Sequence, residues 1–338
     1  MLGTLPAGRI RRQPVLPINS STLRHGAGRW CMSDLEPILI DGNNLVLRCA
    51  MQTALSDLKA GGVFTGGIYG ALHSLRAILE THPRSGPVIC VFDQGVPPER
   101  AAALAAYKAK RRERAALDPE THKAVRAQVG QSRDLLATLG VHCISYPDRE
   151  ADDVLYGLAR LFSRYNISPL VVSTDRDLLQ CVQYGAAVYR FTETVTPANF
   201  EEKLGVPLSR YLLYRALVGD ASDGIPGVPG CGAKRAATII NETAADALTG
   251  VPVDDLADRL LAWAAEAATG KVPGYIRNLA ESRARIEAAL AVSRLSRFAP
   301  SRTTLRTALL AADFTPRWKD FVTACRRYQF KTINQLRV

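Results

Sequence analysis

Short apolar runs alternate along the chain with longer stretches of helical period. Five runs rich in β-branched residues predict strands: Ile38–Asp41, Val88–Asp93, Val141–Ser145, Leu170–Thr174 and Ala187–Phe191. Between them, Gly67–Glu80 places Ile68, Ala71, Leu72, Leu75 and Leu79 on one face, and Ala151–Arg164 does the same with Val154, Leu155, Leu158 and Phe162. That spacing predicts amphipathic helices, and strands alternating with helices predict an α/β fold with a mostly parallel sheet. From Pro207 onward the strand pattern stops. The rest reads as helical, punctuated at Gly224–Gly232 and Gly270–Gly274, with no internal repeat.

One helical stretch is unlike the others. Pro97–Val129 is Ala-rich, and within it Glu99–Arg114 holds six bases against two acids. Asp118–Pro119 breaks it into two helices. Such a run is either a solvated face or a basic helical hairpin offered to phosphates. Tyr107, inside AAYKAKRR, points to the second, because aromatics interleaved with bases suit stacking on nucleobases.

Composition narrows the class. At 47% hydrophobic and 22% charged, the chain is that of a globular protein, and no apolar run is long enough to span a membrane. A net charge of +11 favours an anionic partner. It is uneven: residues 34–338 carry +6, and residues 1–33, which hold Arg9, Arg11, Arg12, Arg24 and Arg29 and no acid, carry +5. This segment reads as a basic extension: a disordered arm, a transit peptide, or a stretch preceding a true start at Met32. A cytoplasmic location is expected, or an organelle if the segment is a transit peptide. The seven cysteines form no CxxC pair, and the five histidines no HExxH, so neither a disulfide framework nor zinc is expected.

The acids carry the chemistry. In an open α/β sheet, ligands bind beyond the carboxyl ends of the strands. Asp41 ends ILID and Asp93 ends VICVFD. Glu150, Asp152 and Asp153 follow the third strand and open the next helix, while Asp175 and Asp177 follow LVVST. Each has a structural alternative. Asp41 could belong to a turn, Asp175 could cap a helix, and Glu150–Asp153 could suit a helix dipole. Together, seven carboxylates at corresponding ends of four segments would converge in one crevice. Charges that close need counter-ions. Hard carboxylate oxygens select Mg²⁺ or Mn²⁺, and two such ions about 3.5–4 Å apart stabilise both oxygens in phosphodiester cleavage.

A second constellation is VGDASDGIPGVPGCGAKRA at Val218–Ala236. Asp220 and Asp223 add two acids. Gly224, Gly227, Gly230 and Gly232, with Pro226 and Pro229, force tight turns between helices. Lys234 and Arg235 sit in the first turn of the following helix, where basic residues oppose the dipole. The arrangement predicts a helix–hairpin–helix that reads duplex backbone without sequence preference. A Gly-rich corner between helices is the alternative.

These stretches resemble the 5′-nuclease superfamily, which includes the 5′–3′ exonuclease domain of bacterial DNA polymerase I and stand-alone phage flap endonucleases. ILIDGNNLVLR, FTGGIYGALHSL, VFDQGVPPERAAALAAYKAKR, READDVLYGLA, VVSTDRDLLQ and YRALVGDASDGIPGVPGCGAKRAATII occur in family order between Pro37 and Glu242, and Tyr275–Leu295 resembles the tail of the phage-type members. The resemblance implies a first metal held by Asp41, Asp93, Glu150 and Asp152, and a second toward Asp153, Asp175, Asp177, Asp220 and Asp223. It implies that Lys108 contacts the scissile phosphate, that Tyr107 stacks on a base, and that Arg111 belongs to the same arch. Gly227, Gly230, Gly232, Lys234 and Arg235 would contact DNA, and backbone carbonyls within Gly219–Lys234 would hold a K⁺ ion. The chain departs from the family at Gly224, where Asn is common and whose absence is expected to loosen the hairpin, and at Arg235, where many members have Thr.

The expected organisation is a basic extension at 1–33, a PIN-like catalytic domain at 35–206 with a helical arch at 97–130, a helix–hairpin–helix at 207–250 and a helical tail at 251–338 packing on the catalytic domain. The expected function is a monomeric, metal-dependent 5′–3′ exonuclease and 5′ flap endonuclease. It would act on DNA with 5′ ends, flaps or nicks, and on RNA primers, for primer removal or repair, with a polymerase or sliding clamp as candidate partners. A PIN-type ribonuclease and a non-catalytic structure-specific DNA-binding module are the alternatives. The first has no need of GIPGVPGCGAK and the second no need of the acids.

Overall fold

The computed structural model describes residues 35–83, 86–243, 251–295, 298, 300 and 317–330. Two short paired strands at Leu23–His25 and Gly28–Trp30 are also described. The remainder of the basic extension and the last residues of the expected tail lie outside the described residues.

Six strands form the central sheet: β1 (Ile38–Asp41), β2 (Val88–Val91), β3 (His142–Ile144), β4 (Leu170–Val172), β5 (Ala187–Tyr189) and β6 (Thr194–Val195). Their order is β6-β5-β4-β1-β2-β3, parallel throughout except for β6. The five expected strands are present, each within a residue or two of its expected bounds or slightly shorter. The sixth, two residues long on an antiparallel edge, is too short to leave an alternation. β1 is buried along its whole length, as in a sheet covered on both faces. Ile38 and Ile40 join one apolar cluster, with Leu45, Ile68, Leu72 and Phe321. Leu39 faces the other, with Val154, Leu155 and Phe162. This is the two-residue period of a strand.

Helices cover both faces: α1 (Gly42–Ala50), α2 (Gly66–Thr81), α3 (Pro98–Ala103), α4 (Ala109–Leu117), α5 (Pro119–Leu139) and α6 (Ala151–Ser163). The expected break at Asp118–Pro119 is an N-terminus. Asp118 accepts a bond from the Thr121 amide at 3.1 Å, and Pro119 takes the first helical position. The basic stretch before it is not one helix. Leu104 leaves helical geometry (φ −149°, ψ 103°) and Lys108 is left-handed (φ 54°), so a turn separates α3 from α4.

After the sheet come α7 (Tyr211–Val218), α8 (Ala233–Glu242), α9 (Val253–Ala267), α10 (Gly274–Ala280), α11 (Arg283–Ser293) and α12 (Trp318–Cys325). Leu213, Ile239, Leu260, Leu279 and Leu290 of these helices enter the same apolar cluster as α6. No described helix is long and apolar enough to cross a membrane.

Candidate metal centre and nucleic-acid interface

Chain direction gathers the acids. The chain runs from β1 outward through β2 to β3, then returns to place β4 on the other flank of β1. The crevice beyond this reversal is where open sheets bind ligands. Asp41 spans it: Oδ1 accepts from the Asn44 amide at 2.9 Å, capping α1, and Oδ2 accepts from Ser173 Oγ beyond β4 at 2.9 Å. The turn reading and the site reading of Asp41 therefore both hold. Across the crevice, Asp93 accepts from the Ala151 amide at 2.7 Å and from Asn43 Nδ2 at 2.8 Å. Asp175 accepts from the Asp177 amide at 2.8 Å, closing the loop after β4.

The carboxyl groups strain against one another. Burial, then Asp93 and Asp175, push Asp41 up to about 8, against the pull of the Asn44 and Ser173 bonds. Burial, then Asp177 and Asp152, raise Asp175 to about 7. Asp93 rises to about 6, chiefly by burial, although the Ala151 amide and Lys108 oppose the rise. Asp177 is also raised by burial, despite Arg215. Such a donor set, all hard oxygen and short of positive charge, fits divalent cations such as Mg²⁺ or Mn²⁺.

Part of the neutralising charge is built in. Arg100, on α3, is buried. Its Nη1 donates to Glu150 Oε2, its Nη2 to Asp153 Oδ1 at 2.8 Å, and Asp152 lies 4.0 Å away. Lys108 Nζ donates to Glu150 Oε1. Arg215, on α7, reaches Asp177 at 2.9 Å and Asp220 at 3.2 Å. Burial pushes Asp220 up, but Ser222 and Arg215 outweigh it and hold this carboxyl low. Arg100 and Arg215 were not legible as site residues. Arg100 looks like one base among six in a surface run, whereas Arg215 carries a weak signal, a lone base on an apolar helix face.

Two expectations for the crevice change. Asp153, assigned with the second metal group, instead lies beside Glu150 and Asp152, with candidate ligand oxygens of the three within 4.8 Å of one another. It is fully buried against Arg100 because it occupies the inward side of the first turn of α6. Tyr107 is not offered to nucleobases: it is 6% exposed, packs in the core and donates to Glu150 Oε2 at 3.0 Å. The turn between α3 and α4 folds its ring inward. Arg111 lies on α4, with its side chain outside the described residues.

The hairpin joins α7 to α8. Asp220 and Ile225 exchange backbone bonds at 2.9 and 2.8 Å, closing its first turn. A Cβ on Gly227 would sit 2.3 Å from the Val218 carbonyl oxygen, so the two passes touch backbone to backbone. Gly230 is left-handed (φ 75°), while Gly232, flanking α8, is in ordinary extended geometry with open space around it. Lys234 is exposed on the first turn of α8. Arg235, also exposed, curls back: its Nη1 donates to the Gly230 carbonyl at 2.6 Å and its guanidinium lies 5.1 Å from the Tyr275 ring centroid. Asn278, also on α10, donates to the Pro229 carbonyl at 2.9 Å.

Gly224 tightens the hairpin against the arch. It is left-handed (φ 74°), and a Cβ there would lie 2.4 Å from the Ala106 carbonyl oxygen. Beside it, the Lys108 amide donates to the Asp223 carbonyl at 2.8 Å. A glycine here lets arch and hairpin meet, so its expected loosening effect is reversed. Asp223 is thereby held at the crevice edge.

Comparison with known proteins agrees with this geometry. The family described as "5′-3′ exonuclease, N-terminal resolvase-like domain" matches residues 36–205. A 5′-3′ exonuclease of Aquifex aeolicus is 31% identical over 207 residues, covering 60% of this chain and 68% of that protein. The thermostable DNA polymerase I of Thermus filiformis is 37% identical over 206 residues, covering 61% of this chain but 23% of the polymerase. The chain thus spans about a quarter of the length of that relative. In fold, it is similar to a bacteriophage T5 flap endonuclease solved in a pseudo-enzyme–product complex with DNA and metal ions (TM-score 0.59, 22% identity, covering 87% of this chain and all of that one). A T5 5′-exonuclease with bound zinc gives a TM-score of 0.60 at 23% identity, covering 87% of this chain and 100% of that one.

Proposed function

Because the chain belongs to the 5′–3′ exonuclease family, we propose that it hydrolyses phosphodiester bonds in DNA, and in RNA primer strands paired with DNA, at 5′ ends, nicks and the base of 5′ flaps. The observation that carries this reading is the crevice at the sheet reversal, where Asp41, Asp93, Glu150, Asp152 and Asp175 converge beside Lys108 and one backbone contact from the hairpin. Two Mg²⁺ or Mn²⁺ ions, one toward Asp41, Asp93, Glu150 and Asp152 and one toward Asp175, Asp177, Asp220 and Asp223, would supply an activated water and charge for the leaving oxygen.

The chain's own residues do the rest. Lys108, now on Glu150, would exchange that partner for an oxygen of the scissile phosphate as negative charge develops there. Arg215 keeps Asp177 and Asp220 turned toward each other. The Gly230 turn and Lys234 would follow consecutive phosphates of the uncut duplex, with a K⁺ ion held by carbonyls within Gly219–Lys234. Biologically, this chemistry suits primer removal or repair.

A cleavage assay on a 5′-flapped duplex, a blunt duplex and single-stranded RNA, with and without Mg²⁺, tests the proposal. Mg²⁺-dependent cleavage favouring the flap is expected. Cleavage confined to single-stranded RNA would return the ribonuclease reading. Flap binding with no cleavage in either Mg²⁺ or Mn²⁺ would return the binding-only reading.

A further inference from the structure

Glu150 is held from three directions by one short stretch of chain. Arg100 and Tyr107 both donate to Oε2, and Lys108 to Oε1. The three donors differ in permanence. The Arg100 side chain is 3% exposed and grips Asp153 as well, whereas that of Lys108 is 17% exposed on the crevice side. Arg100 comes from α3, Glu150 and Asp153 from the start of α6, and a planar guanidinium suits two carboxylates at once. Removing it would leave two buried carboxylates facing each other with no fixed cation between them.

We propose that Arg100 is a positioning residue for the metal centre: it pins Glu150 by Oε2 so that Oε1 faces the crevice as a ligand, and it fixes Asp152 through the same helix turn. This rests on the metal reading above. In that reading, Lys108 is the exchangeable partner of Oε1 and leaves when a cation arrives, while Arg100 stays. Groups that orient ligands in this way typically change metal affinity by about 10–100-fold when removed.

The test is Mn²⁺ binding to the purified full chain, followed by calorimetry and by the paramagnetic resonance of free Mn²⁺, with no DNA present. Glu150→Gln identifies the class of sites that includes Glu150. In Arg100→Met, with circular dichroism unchanged, the apparent Kd for that class should weaken by about 10–100-fold. Should Arg100→Met fail to fold, Arg100→Lys serves, because it keeps the charge but loses the two-carboxylate fork; a weakening of about tenfold is expected. A merely structural role would lower Tm yet leave the Mn²⁺ affinity of the folded protein unchanged. Affinity within twofold of wild type in the folded variant overturns the inference alone. A wild-type chain that binds no Mn²⁺ at a Glu150-dependent site overturns the metal reading and the inference with it.

Discussion

The acid crevice and the hairpin solve opposite problems. The crevice works through side chains, most of them buried, each fixed by a backbone amide, a hydroxyl or a buried arginine, and crowded enough that Asp41, Asp93 and Asp175 hold protons unusually tightly. The hairpin works through backbone, with glycines where a side chain would block close approach and with Lys234 exposed at the rim. Each region is therefore fragile in its own way. The crevice should fail through charge and tolerate little change of chemistry. The hairpin should fail through shape and tolerate any residue that respects its backbone.

The largest effect is expected from chemistry in the crevice. Asp175→Ala should lower single-turnover cleavage of a flapped duplex by about 10²–10³-fold or more, while binding of the same DNA, resting on Lys and Arg contacts to phosphate, stays intact or tightens. Near-normal turnover in saturating Mg²⁺ would remove Asp175 from the metal set.

Next in size is the seam between the two regions. Gly224→Asn or Gly224→Ala places a Cβ against the Ala106 carbonyl in a left-handed backbone. Urea denaturation should show a loss of roughly 1–3 kcal/mol. Unchanged stability would mean that arch and hairpin are not in contact in solution.

A proton-linked effect separates the crevice from the rest of the molecule. Burial and the neighbouring acids push Asp93 up to about 6 and Asp41 to about 8 from an ordinary carboxyl value of 3.8, and raise Asp175 as well. Between about pH 4 and 8 the folded state therefore binds more protons, and stability falls as pH rises. The Tm of chelator-treated protein should decline from pH 5 to 8.5. Mg²⁺ should flatten that decline, since a cation takes over the role of the protons. A metal-independent profile would contradict the crevice as a cation site.

The smallest effect is expected in the hairpin. Gly232 has open space and ordinary backbone angles, so Gly232→Ala should change stability by no more than about 0.5 kcal/mol. Gly230→Val, at positive φ, should cost more.

Much of this was legible in sequence because parallel strands buried on both faces leave continuous apolar runs. Once the sheet is parallel, acids at strand ends must fall on one edge, and Asp41, Asp93, Glu150 and Asp175 do. What was not legible depends on contacts distant in sequence. Tyr107 reads as a base-stacking aromatic within a basic run, yet Leu104 and Lys108 turn it into the core, where it meets Glu150. Arg100 reads as surface charge, because nothing local announces that carboxylates fifty residues on will close over it. Gly224 reads as a loosened turn, because its neighbour Ala106 belongs to another element. Asp153 differs from Asp152 by one position, which on a helix is enough to exchange crevice for interior.

The proposed function rests on a division of labour in which the crevice cuts and the hairpin selects duplex. It is tested most directly by the ratio of kcat/KM on a 5′-flapped duplex to kcat/KM on a plain single strand, in Mg²⁺, for Gly230→Val against wild type. The ratio should fall by about tenfold or more, equivalent to about 1.4 kcal/mol of lost discrimination, while Mg²⁺-dependent cleavage of the single strand persists. If both activities fall in equal proportion while circular dichroism shows an intact fold, the hairpin is not the duplex reader and the division of labour is wrong.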